Sequence, residues 1–106
     1  MKVERIQFER TGGFAGIRFA ADFKPEDLSD EQSRELFELL DDIDFDDLPE
    51  RMIDEEGVAD GFTYSITVES KRKKHTVVTG DSSAPEKMQD LLQLLTRIAR
   101  NQMRKQ

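Results

Sequence analysis

The chain has 106 residues, 36% of them hydrophobic and 37% charged, with a formal net charge of −7. That length supports one domain with a single modest core and excludes two. The absence of cysteine excludes disulfide staples and thiolate metal sites, and no apolar run approaches the roughly 18 residues of a membrane span.

The first five residues, Met1 to Arg5, have no apolar stretch of the signal-peptide kind and read as the start of a strand, so a cytoplasmic location is expected. Lys2 to Arg10 reads as that strand, with Ile6 and Phe8 on one face. Gly16 to Phe23 alternates, with Ile17, Phe19, Ala21 and Phe23 on one face and Arg18 and Asp22 on the other. The segment Thr11 to Ala15 between them is short enough to make a hairpin. Its tip, Thr11-Gly12-Gly13-Phe14-Ala15-Gly16, sets a large ring among three glycines, where a solvated turn usually carries small polar residues. Phe14 either folds back onto the core or points outward at a partner.

After a break at Lys24-Pro25-Glu26-Asp27, Ser29-Asp30-Glu31-Gln32 forms a capping box. It opens a helix with Leu36, Phe37, Leu39, Leu40 and Ile43 at helical spacing, and Pro49 ends anything helical by Leu48. Glu50 to Gly61 is polar and acidic, with the least ordered composition in the chain. Phe62 to Val68 is the strongest strand, alternating apolar and hydroxyl residues. Lys71 to Lys74 makes a charged turn, and His75 to Thr79 returns as the partner strand. Ser83-Ala84-Pro85-Glu86 starts a second helix, with Met88, Leu91, Leu92, Leu95, Ile98 and Ala99 along one stripe. It is expected to fray into a basic tail at residues 100–106, leaving a domain of residues 1–99.

The order is ββαββα. The predicted fold is α+β, a four-stranded antiparallel sheet with two helices packed on one face, because that arrangement buries every apolar stripe.

The stretch from Asp22 to Asp60 carries 17 acidic against 3 basic residues, and the two ends are basic. Nucleic acid and anionic membranes are disfavoured as partners of such a chain. The run Asp42-Ile43-Asp44-Phe45-Asp46-Asp47 fails as a calcium loop and reads as a solvated acidic helix end. Its sixth position is Asp47, where the sharp turn needs Gly, and its twelfth is Ile53, where a bidentate Glu is needed. His75 is the sole histidine and reads as structural, since one imidazole without Cys builds no zinc site. Lys71 to Lys74 reads as a solvated turn that protects the sheet edge, with no aromatic interleaved to stack bases. No catalytic constellation is present in the residue pattern, so no enzyme activity, metal or cofactor is expected.

Several short motifs occur in a familiar order. Gly12-Gly13-Phe14-Ala15-Gly16, Phe45-Asp46-Asp47-Leu48-Pro49-Glu50, Asp60 to Val68, and His75-Thr76-Val77 leading to Ala84-Pro85 resemble the emfourin family. The resemblance runs from Val3 to about Arg97. It implies a small cytoplasmic bacterial inhibitor of a thermolysin-like zinc metallopeptidase such as protealysin, occupying the peptidase cleft. Thr11, Gly12, Gly13, Phe14, Ala15 and Gly16 are then the candidate partner-contact residues. Thr11 is the only residue of that tip with a side-chain oxygen, so occlusion of the cleft is expected and zinc chelation is not. A monomer is expected. The competing reading is a non-inhibitory interaction or regulatory module that binds a basic protein through the acidic middle.

Overall fold

The computed structural model describes residues 3–12, 19–52, 62–80 and 86–104. Strand β1 (Arg5–Gly12) is followed by β2 (Phe19–Phe23), helix α1 (Asp30–Asp42), a short β3 (Arg51–Met52), β4 (Phe62–Glu69), β5 (Lys74–Gly80) and helix α2 (Glu86–Arg104). Single 3₁₀ turns occupy Pro25–Asp27 and Phe45–Asp47. The sheet order is β2-β1-β4-β5-β3. The first four strands form the expected antiparallel sheet, in which β1 pairs with β2 on one side and β4 on the other.

The alternation in the sequence sorts the two faces of this sheet. Ile6 stands opposite Phe23 and Val68, Phe8 opposite Ala21 and Ile66, and Ile66 in turn opposite Val77. All of these side chains are buried. The other face carries Gln7, Ser65, Thr67 and Thr76, with the Thr67 and Thr76 hydroxyls 2.8 Å apart across β4 and β5. A guanidinium fastens this open face. Arg5 makes a two-pronged contact with Asp22 of β2, its Nε donating to Oδ1 at 2.7 Å, and lies 3.9 Å from Glu69 of β4. Hydrogen bonding from Arg5 holds the Asp22 carboxyl below its ordinary range.

Helix α1 starts as its capping residue predicts, with the Ser29 hydroxyl accepting from the Gln32 N–H at 3.2 Å. Leu36 and Leu40 bury fully. Phe37, expected on the same stripe, is instead 39% exposed, because the Leu36–Leu40 row takes the inward side of the helix. Helix α2 lies against β1 and β2 and packs on α1. All six stripe residues named for it are buried, and Leu94 joins them. The helix continues past Ala99 to Arg104.

A fifth strand and the 3₁₀ turn that follows the acidic end of α1 are absent from the sequence reading. Arg51 and Met52 pair in parallel with Val78 and Thr79, adding a fifth, edge strand that the Val78 N–H ties to the Glu50 carbonyl at 2.8 Å. Two residues are too few to show an alternating pattern. The acidic run after α1 folds as a helix end and a 3₁₀ turn, entered through Asp44 in a left-handed conformation at φ 50°. The turn drives Phe45 inward, edge-on to His75 with ring centroids 5.5 Å apart. His75 Nε2 donates to the Leu48 carbonyl at 2.8 Å, so the histidine clamps this turn onto β5.

Phe45 has no solvent exposure, and its truncation leaves a cavity under β5. Phe45→Ala is expected to lower stability by about 3–5 kcal/mol, measured by urea unfolding. Thr79 is also sealed, and its hydroxyl has no hydrogen-bond partner among the described residues. Thr79→Val removes that unpaired group at constant shape and is expected to raise stability by about 1 kcal/mol in the same assay.

Candidate functional site

The candidate contact residues are split by what the structure describes. Thr11 and Gly12 are the last two residues of β1, paired with Thr63 and Phe62 of β4. Gly13, Phe14, Ala15 and Gly16 lie outside the described residues. Thr11 and Gly12 are therefore strand residues and not turn residues. Their pairing with β4 is non-local, since Thr63 and Phe62 lie about fifty residues further along the chain. Gly12 has φ 102°, a conformation that a Cβ would make unfavourable, so glycine is needed at the last described residue of β1.

Directly beneath the tip lies a cluster that the sequence analysis did not single out. Inward positions of β1 run Ile6, Phe8, Arg10, so the third places a guanidinium on the apolar face. It is held there by rings. Arg10 Cζ sits 4.3 Å from the centroid of Phe19 on β2 and 4.3 Å from that of Phe62 on β4. Phe62 is tilted against Tyr64 at 6.5 Å, and Tyr64 stacks on Phe8 at 6.1 Å. A cation between two ring faces gains about 0.5–2 kcal/mol per contact, depending on how dry the site is. The three strands at the base of the tip are thereby cross-braced. The signal in the sequence was the charge itself, an Arg in register with two buried apolar residues.

The brace also borders a groove. Arg10 and the α2 residues Gln89, Gln93, Thr96, Arg97 and Arg100 line a cavity of about 410 Å³. The Arg10 Nε is buried and has no hydrogen-bond partner among the described residues.

The other charged features lie elsewhere. The turn holding Lys71 to Lys73, with Lys74 opening β5, is exposed and closed by the Ser70 N–H on the Lys73 carbonyl at 2.8 Å. It sits beyond Glu69, about 23 Å along β4 from Phe62 at roughly 3.3 Å per residue. The acidic residues Glu38, Asp41, Asp44, Asp46 and Asp47 surround a cavity of about 440 Å³ that Phe37 also lines. Among the described residues, no group of three or more His, Cys, Asp or Glu side chains converges as metal ligands would.

Replacing Arg10 tests the brace. Arg10→Ala is expected to lower the thermal midpoint, with a stability loss of about 1–2 kcal/mol. Arg10→Lys should recover only part of it, since an ammonium lacks the planar stacking surface.

The Emfourin family model matches residues 8–96 of the chain. No curated protein matches it. Among solved structures it is similar to emfourin (M4in) from Serratia proteamaculans, described as an M4 family peptidase inhibitor, at 24% identity. The match covers 84% of this chain and 85% of that one, with a TM-score of 0.45.

Proposed function

The chain belongs to the Emfourin family, and from that premise we propose that it is a protein inhibitor of a thermolysin-like, M4-type zinc metallopeptidase and not itself an enzyme. The observation that carries this reading is the family match, which spans residues 8–96, from within β1 through α1 and the β4–β5 pair into α2. The inhibitory activity is the one the family resemblance implies. The tip from Thr11 to Gly16 occupies the substrate cleft, with Phe14 in the apolar pocket that follows the scissile bond.

The geometry beneath the tip supports this role. A loop that must enter a cleft binds better when little freedom is lost on docking. Double pairing of β1 and the Phe19–Arg10–Phe62 stack hold the base of the tip in one arrangement before any partner arrives. Blockage is steric: neither Thr11 nor the glycines and apolar residues after it offer a zinc ligand of the usual kind.

One observation favours a second reading. Phe37 is exposed beside five carboxylates, a combination suited to a basic, partly apolar segment of another protein. Such binding would weaken steeply as salt screens it, whereas a ring seated in a pocket is much less sensitive.

Burial of one large apolar side chain contributes about 1.5–3 kcal/mol, which corresponds to roughly 10- to 150-fold in affinity. Phe14→Ala is therefore expected to raise the inhibition constant against a thermolysin-like peptidase by that factor, with an unchanged circular dichroism spectrum. The peptidase should retain its zinc in the inhibited complex, and added salt should alter the constant little. Unchanged inhibition by the Ala variant would sink the assignment of Phe14.

A further inference from the structure

The groove beside Arg10 has a composition that its position in the fold does not require. Gln89, Gln93, Thr96, Arg97 and Arg100 recur at helical spacing along one side of α2. They extend over about 16 Å at 1.5 Å per residue, which matches about five residues of extended chain. The cavity is thus a trough and not a point site.

Its charge is unopposed. Arg97 and Arg100 are exposed, and among the described residues neither they nor Arg10 forms an ion pair. Arg5 shows the contrast, engaging carboxylates of two strands. Three guanidiniums around one trough repel one another and lower their energy by gathering carboxylates, which match the guanidinium fork. Arg10 cannot swing away to water, because two rings hold it. Thr96 already donates its hydroxyl to the Leu92 carbonyl at 2.7 Å, and the exposed Gln93 amide stands along the trough. Amides both donate and accept, as a peptide backbone does, and an isolated oxyanion has no use for that pairing.

We propose that this trough is a binding site for an extended acidic peptide segment of a partner protein, its carboxylates seated on Arg10, Arg97 and Arg100 and its backbone passing Gln93. The proposal goes beyond the inhibitor reading and holds whether or not the hairpin blocks a peptidase.

Arginine Nε–H signals of the whole protein, followed by NMR during titration, provide the test. A capped hexaglutamate peptide should shift the Arg10, Arg97 and Arg100 signals saturably, and hexaglutamine should not. The double variant R97Q/R100Q should weaken hexaglutamate binding by about tenfold or more. The equally charge-reduced K71Q/R72Q, altered at the far end of the sheet, should stay within about twofold of the parent. The site is overturned if hexaglutamate gives no saturable shift at these arginines, or if both double variants weaken it alike. It is also overturned if inorganic phosphate at matched charge moves the three signals as far, since that marks a simple oxyanion site.

Discussion

Strand β1 is hydrogen-bonded along both edges, and the rest of the molecule depends on that double pairing. Its register with β2 and β4 sets Ile6, Phe8 and Arg10 on the face where Phe23, Ala21, Val68 and Ile66 also point. Without the β1–β4 pairing the two hairpins would be separate ribbons, and an isolated hairpin is at best marginally stable in water. With it, one face of the sheet becomes continuous enough for α2 to lie across β1 and β2 and for α1 to pack on α2. The opposite face needs no cover, since its hydroxyls, amides and the Asp22–Arg5–Glu69 array meet water favourably.

The same strand runs toward the proposed contact segment. Its apolar face ends in Arg10, which would be a costly charge to bring so near the core. Two aromatic faces offset that cost and convert the residue into a brace linking three strands. Beyond it, Gly12 holds a positive-φ conformation at the last described residue of the strand. The guanidinium both braces three strands and borders the trough.

Much of this architecture was legible in residue order. Alternation identified β4 and the inward faces of β1 and β2, because a two-residue period leaves a local trace. Ser29 marked the start of α1 for a similar reason, the cap lying within one turn of the amide it satisfies. What escaped was decided by partners distant in sequence. Phe37 has the helical spacing of a core residue, yet the packing of Leu36 and Leu40 turns it outward. Thr11 and Gly12 read as a turn, and only pairing with Thr63 and Phe62 makes them strand. Arg51 and Met52 had no pattern at all until β5 lay alongside them.

The sequence by itself determined the ββαββα order, the four-stranded antiparallel core of the sheet and the family to which the chain belongs. All of these rest on local periodicity or on short motifs in fixed succession. The tertiary structure alone decided where charge would stand. It brought Arg10 from β1 between Phe19 and Phe62, residues 9 and 52 positions away along the chain, and set Arg97 and Arg100 of α2 around the same cavity. No short window of sequence contains all of those contacts. They arise because a strand paired on both edges brings the faces of its neighbours together, and a helix must cover the apolar side that results.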